Sequence, residues 1–453
     1  MHSIRPKDAS FKRTRWLQLV LGLVAMMAIS SPQYVWALFT SDLTRMLGVS
    51  LAEVQVTFAL LIIIQTFLAP FQGFLIDRFG AKLLLSCGAV LTGLSWILAS
   101  KVTSIWGLYL AYGVLGGLGT GIIYIGVIGL MVRWFPDKRG FAVGMVAAGY
   151  GFGAALTTFA ISDSIKSIGA PDTLVVFGWI IGVVGLLAVL GLRRPREGEL
   201  RELAQLVSSA RAAKAGDFSA PTVGNRDYTP REMVREPVFW VMYVMFVMMA
   251  TSGLMVISQI GAFAKDIHVA NALVFGMAAL PLALTLDRFT NGLTRPLFGW
   301  VSDHIGRENT MFVAFGLEGV AMSIWLAASS DPLLFALLSG VVFFGWGEIF
   351  SLFPATLTDI FGTKYATTNY GLLYMAQGVG SVLGGPLAAM MHQTTHSWTA
   401  VFVVVIAMNF ITALMAIFVL KPMRHAVHGR VTTSGVTAFQ MKQPALMPLT
   451  PPD

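Results

Sequence analysis

The sequence predicts an all-α integral membrane protein with twelve transmembrane helices arranged as two pseudo-symmetric halves of six. Three observations lead there. Of the 453 residues, 56% are hydrophobic and only 12% charged, whereas an ordinary soluble domain carries about 25% charged residues. Apolar stretches of bilayer-crossing length recur along the whole chain. A short Gly/Asp/Gly pattern also returns after half the chain, at the same place in the order of spans.

A helix needs about 20 residues to cross the hydrocarbon core. The N-terminus carries Lys7, Lys12, Arg13 and Arg15 before an apolar run that starts at Trp16. That run extends to Thr40, too long for the ~7–15-residue core of a cleavable leader, so it reads as the first span. The next five spans fall near residues 52–74, 83–100, 104–132, 140–162 and 172–192. Residues 193–237 then turn polar: Arg193, Arg194, Arg196, Arg201 and Arg211 interleave with Glu197, Glu199 and Glu202. Six more spans follow near 238–262, 271–298, 309–328, 332–359, 366–391 and 397–420. The division is therefore an N-terminal half over 1–192, a linker over 193–237, a C-terminal half over 238–420, and a tail over 421–453 expected to be disordered.

Basic residues set orientation. With the N-terminus inside, the outer loops hold Arg45, Lys101, Lys166 and Lys265, and nearly every other Lys and Arg falls on the inner side. This asymmetry predicts a multi-pass protein of the inner or plasma membrane with both termini cytoplasmic. The formal charge of +8 is spread over loops in short clusters, which fits lipid as the partner and not nucleic acid. The single cysteine, Cys87, excludes an intramolecular disulfide and reads as a small packing residue. His392 and His396 have a metal-binding spacing, but no third ligand accompanies them and no metal is expected. No phosphate-binding loop appears, and no cofactor is needed. The sequence is silent on oligomeric state.

The repeat reads Gly73-Phe-Leu-Ile-Asp77-Arg78-Phe-Gly80 after span two and Gly299-Trp-Val-Ser-Asp303-His-Ile-Gly306-Arg307 after span eight. Both aspartates and both final glycines are 226 residues apart (303 − 77 and 306 − 80). Parallel six-span repeats are one way to build two rocking halves. Asp77 and Asp303 can alternatively cap a neighbouring helix N-terminus, and the two roles are compatible. Gly113, Gly117 and Gly121, then Gly149 and Gly153, then Gly380 and Gly384 recur every four residues, giving smooth faces for close helix packing. Pro386 is expected to loosen span eleven.

These loops resemble the signature of the major facilitator superfamily, G-x-x-x-D-x-x-G-R/K, although the first copy has Ala81 before Lys82. The resemblance implies the fold of that superfamily, with the signature residues as a gate on the cytoplasmic side. A narrower resemblance, to the oxalate:formate antiporter family, rests on Pro32-Gln33-Tyr34-Val-Trp36, Tyr124, Asp287-Arg288, Trp346, Asn369-Tyr370-Gly371-Leu-Leu-Tyr374 and the stretch from Arg295 through Gly299, Asp303 and Arg307. It covers essentially the whole membrane region and implies a carrier, not an enzyme.

Arg288 lies near the middle of span eight. A cation at bilayer depth costs ~2.5–3.5 kcal/mol even on insertion scales, so it must face a cavity or a partner. Guanidinium binds a carboxylate through two parallel hydrogen bonds, and the resemblance places the family's substrate-binding arginine here. The bland alternative is an ion pair with Asp287 or Glu348; Asp287, adjacent in sequence, points ~100° away and is poorly placed. Gln33, Tyr34, Tyr124 and Trp346 match the family's aromatic and amide positions around the substrate. The family's oxalate carriers have a lysine where Gln377 stands, after Tyr374-Met-Ala, and a tyrosine where Phe350 stands. The missing cation disfavours an unprotonated dicarboxylate. Glu348 is a second ionisable group at depth, either a coupling proton carrier or, on the bland reading, a charge partner for Arg288 or a protonated helix–helix hydrogen bond. The expected substrate is thus a small organic anion moved by exchange. Proton-coupled uptake of a monocarboxylate such as lactate or formate is the alternative, and a channel or sensor the reading from another class.

Overall fold

The computed structural model describes residues 6–213 and 226–427, and the C-terminal residues 428–453 of the expected tail lie outside it. Nine helices are long and apolar enough to span a membrane among the described residues, and a bent pair makes ten. The bent pair is span two, Glu53–Phe67 and Ala69–Phe79, which meet at 48° just before Pro70. One of the nine, Arg139–Leu190, is 52 residues long and breaks at Gly169, whose φ of 84° leaves the helical region. Pro171 follows, so this element is spans five and six joined by a sharp turn. The remaining span, Ala279–Ile305, is less apolar than the others because it carries Asp287, Arg288, Asn291 and Arg295. With it the count is twelve.

The other spans are Ser10–Tyr34, Ala81–Ala99, Ile105–Trp134, Pro237–Asp266, Arg307–Ala328, Pro332–Phe361, Ala366–Thr395 and Trp398–Val427. Span eight starts later and ends later than expected, because residues 271–278 form a small antiparallel hairpin, Leu273–Val274 with Met277–Ala278. Span twelve runs on to Val427, past the expected end at 420, and Arg424 binds both carboxylate oxygens of Glu308 at 2.7 and 2.9 Å. The segment from Lys421 to Val427 is therefore helix, where the sequence reading expected disorder. The linker is helical over Glu197–Ala213. Pro386 sits inside an unbroken span eleven.

Large apolar side chains face outward around the bundle, Trp179 and Leu187 being more than 60% exposed, as a lipid-facing surface requires. Cys87 lies on this outer face, not in a packed interior as expected. The four-residue glycine stripes pack helices within one half. A Cβ on Gly117 would stand 2.7 Å from the Leu61 carbonyl of span two, and one on Gly380 would stand 2.6 Å from Ala250 of span seven. Gly149 and Gly153 lie against Leu23 and Met27 of span one.

Contacts between the halves concentrate at the terminal end, where span one begins and span twelve finishes among the described residues. Spans two and eleven meet there, as do spans five and eight. Gly73 lets span two approach Thr367 so closely that a Cβ would be 2.6 Å from its carbonyl, and Gly299 lies directly against the Gly140 backbone. The two final signature glycines, Gly80 and Gly306, have φ of 96° and 92°. Each ends its helix so that the next can start immediately, and that φ region is costly for any residue with a Cβ.

Candidate substrate site

Above that closed end, towards the opposite face, lies a cavity of about 440 Å³. Phe58, Ser258 and Leu284 in its wall are within about two turns of the far ends of their helices. Of the residues singled out from sequence, Gln33, Tyr34, Asp287, Arg288, Trp346, Phe350, Tyr374 and Gln377 line it. They come from spans one, eight, ten and eleven, so both halves contribute.

Arg288 is exposed to this cavity. No hydrogen bond or ion pair to it is found among the described residues, so the alternative pairing with Asp287 or Glu348 is not formed. It lies one turn from the centre of span eight on the side away from the termini, not at the centre as expected, because the helix runs further towards the terminal end. Asp287 is buried, with Oδ1 lacking a hydrogen-bond partner.

The polar lining is oriented from behind. Tyr150 donates its hydroxyl to Gln33 Oε1 at 2.6 Å, which leaves the Gln33 amide N–H groups for the cavity. Tyr124 does not reach the cavity, contrary to expectation. It is 1% exposed and stacks on Tyr374 with ring centroids 4.9 Å apart. The Tyr374 hydroxyl accepts from Gln65 Nε2 at 3.5 Å. Trp346 contributes an apolar wall only, because its indole N–H already donates to the Met249 carbonyl at 2.9 Å. Gln377 lines the cavity, and its buried Oε1 has no hydrogen-bond partner among the described residues.

Sequence reasoning missed Arg295. It is seven residues from Arg288, hence on nearly the same helix face two turns away. That i, i+7 spacing was visible in the sequence. Its Nη1 donates to the Ala147 carbonyl of span five at 2.7 Å and its Nη2 to Asn291 Oδ1 at 2.8 Å, while the guanidinium sits 4.6 Å from the Phe350 ring centroid. It was also missed that Glu348 has company: Glu318 in span nine is equally buried. Glu348 itself is wholly enclosed behind the cavity wall and does not line it.

The signature aspartates occupy matching positions at the closed end. Asp77 accepts from the Thr368 backbone N–H at 3.0 Å and its hydroxyl at 2.8 Å, capping span eleven of the other half. Asp303 accepts from Gly140 and Phe141 N–H at 3.0 and 2.9 Å, capping span five of the other half. Arg133 adds a 2.8 Å bond to Asp77 and reaches the carbonyls of Thr363 and Lys364. Arg307 joins Asp303 and Asp359 at 2.7 and 2.8 Å, and Asp359 takes Arg139 of span five at 2.5 Å. Arg78 stands apart, exposed over the Phe74 and Phe79 rings.

The profile of the Major Facilitator Superfamily matches residues 19–288 and 262–446. The oxalate:formate antiporter of Oxalobacter formigenes is 34% identical over 93% of this chain and 95% of its own length. Monocarboxylate transporter 13 of Bos taurus is 25% identical over 76% of this chain and 74% of its own. Among solved structures, the proton:xylose symporter XylE bound to 6-bromo-6-deoxy-D-glucose superposes with a TM-score of 0.70 over 90% of this chain and 96% of its own, at 15% identity, a likeness of fold. The chain belongs to the Major Facilitator Superfamily of transporters, and within it resembles the oxalate:formate antiporter family.

Proposed function

We propose that this protein is a secondary carrier that exchanges small organic carboxylates by alternating access, with Arg288 as the anchor for the anion. The observation that carries this reading is an arginine exposed to a cavity built by both halves and, among the described residues, in no ion pair with a carboxylate. An uncompensated guanidinium in such a place is stable when an anion completes it. Gln33 and Gln377 supply further polar contacts, while Trp346, Phe350 and Tyr374 shape a small pocket. The names of the relatives, an oxalate:formate antiporter and a monocarboxylate transporter, agree in substrate class.

The halves over 1–192 and 238–420 rock about this site, and residues 193–237 tether them. The distribution of Lys and Arg supports cytoplasmic termini; in that orientation the closed end faces the cytoplasm and the cavity faces outward. Asp77, Asp303, Gly73, Gly80, Gly299, Gly306 and Arg307 form the cytoplasmic gate, with Arg78 at its exposed rim. A second reading, proton-coupled uptake of a monocarboxylate, is favoured by one observation: Gln377 brings no second cation into the cavity, so that Arg288 is the cation in its wall among the described residues.

Counterflow in proteoliposomes tests both. Vesicles loaded with unlabelled oxalate, formate or lactate are presented with the labelled anion, in wild type and Arg288→Ala. Hydrogen bonds to a charged group contribute about 1.5–3 kcal/mol each, so Arg288→Ala is expected to lose at least about tenfold in kcat/KM. Wild-type rates in that variant would refute the assignment of the site, whichever anion moves.

A further inference from the structure

Behind the cavity wall, two acids from different helices are enclosed together. Glu348 stands at the break of span ten, where Gly345 to Glu348 form a turn between the helices Pro332–Phe344 and Ile349–Phe361. It is 0% exposed, and Glu318 of span nine is 1% exposed. Glu318 packs on the same turn: a Cβ on Gly345 would lie 2.7 Å from the Glu318 Cβ. None of the four carboxyl oxygens has a hydrogen-bond partner among the described residues. A carboxylate stripped of water persists only when paired or hydrogen-bonded, and two adjacent ones repel. This enclosure is chemically reasonable for carboxylic acids, not for two anions.

The groups around the pair leave one candidate counter-charge. Span twelve presents neutral Asn409, held loosely by Ser252 of span seven at 3.5 Å. Span eight presents Arg295, whose guanidinium lies 4.6 Å from the ring of Phe350, two residues along from Glu348, and Gly347 packs on the Asn291 and Thr294 turn beside it. The phenols of Tyr124 and Tyr370, from spans four and eleven, are in the neighbourhood of that arginine. Arg295 forms no ion pair with Glu348 here, because its guanidinium is held by the Ala147 carbonyl of the other half and by Asn291. Gly144 packs directly on the Arg295 backbone, so any parting of spans five and eight at the terminal end withdraws Ala147.

We propose that Glu318 and Glu348 form a proton-binding site that is loaded while Arg295 is held by Ala147 and emptied when the halves part at the terminal end. On parting, Arg295 loses its acceptor in the other half, and Glu348, in its own half, is the neighbouring replacement. The O–H bond of Glu348 breaks, the proton passes to water admitted by the opening, and the carboxylate pairs with Arg295. On closure the Ala147 carbonyl recovers the guanidinium and Glu348 takes up a proton again. Trp346 and Phe350, which flank Glu348, line the cavity, so the site is one residue layer from the bound anion. The inference rests on the carrier reading above and adds a proton to each passage.

The test uses full-length protein in proteoliposomes with labelled formate, comparing initial uptake with and without an inward pH gradient. Wild type is expected to accelerate severalfold under the gradient, while in Glu348→Gln and Glu318→Gln the ratio falls to one with formate counterflow still measurable. Equal wild-type uptake with and without the gradient overturns the proposal, as does a full gradient response in both variants. Infrared spectra of the same vesicles need no substrate: a protonated-carboxyl C=O band at neutral pH is expected in wild type and weakened in each variant, and its persistence at full strength in both overturns the site. If wild type shows no counterflow of oxalate, formate or lactate, the carrier reading fails, and the infrared result alone decides the proton site.

Discussion

Asp303, at the end of span eight, accepts a 3.0 Å hydrogen bond from the backbone N–H of Gly140, at the start of span five in the opposite half. Its counterpart Asp77 does the same for Thr368 at the start of span eleven. Each signature aspartate is therefore a helix cap, but one supplied across the dividing plane. In the proposed cycle the cap exists only while the halves are closed at this end, which would make capping energy and gate energy the same quantity.

Removing a cap costs about 1 kcal/mol, roughly a fivefold shift between two states. Asp303→Ala and Asp77→Ala are each expected to raise the population open at the terminal end by about that factor. Nitroxide labels on Arg78→Cys and His304→Cys in a Cys87→Ala background report it, since both labelled positions are exposed and belong to opposite halves. Double electron–electron resonance should show the longer distance gaining weight. Unchanged distances would mean that the aspartates cap without gating.

The glycines make a prediction that separates gating from folding. Gly299 touches the Gly140 backbone across the halves, whereas Gly117 touches Leu61 within one half. Gly299→Val should prevent closure at the terminal end, stop counterflow and leave thermal stability in detergent near wild type. Gly117→Ala should instead lower the melting temperature, because its neighbour is present in every state. The opposite pattern would place the moving surface elsewhere.

Much of the fold was legible because lipid imposes a simple demand: runs of apolar residues of fixed length, with basic residues biased to one side. The span-eight boundary was misplaced because the hairpin at 273–278 is as apolar as a span, and because the true helix carries Asp287, Arg288 and Arg295. The continuation past Lys421 was missed because a basic residue reads as the membrane edge, whereas Arg424 is buried against Glu308. Within the site, Arg288 announced itself by the cost of burying charge. Tyr124 was placed in the cavity because helix identity was known but rotation was not, and only the structure puts Tyr374 in front of it. Glu318 carries the same signal as Arg288, an ionisable side chain in the middle of an apolar span, and was overlooked; only the structure pairs it with Glu348 on a neighbouring helix.

Charge alone is not what Arg288 offers. Lysine keeps the charge but presents a compact, strongly hydrated ammonium in place of a planar fork. Arg288→Lys is therefore expected to retain transport with kcat/KM lowered by about tenfold, equivalent to about 1.4 kcal/mol, while Arg288→Gln loses more. If lysine matches arginine for the best carboxylate, bidentate recognition plays no part in binding.

Gln377 tests how the cavity's charge selects its anion. The residue lines the same cavity as Arg288, so a cationic side chain there adds its charge to the wall that the proposed anion meets. Gln377→Lys raises the local charge from one free cation to two. A second charge-assisted contact favours an anion carrying two carboxylates, and in front of a monocarboxylate it is left uncompensated. The ratio of oxalate to formate counterflow is expected to rise by about tenfold, or about 1.4 kcal/mol of discrimination. The two initial rates measured side by side in one vesicle preparation give that ratio directly. A ratio that stays level would mean that the charge at position 377 does not reach the bound anion, and that selectivity lies in the aromatic wall of Trp346, Phe350 and Tyr374.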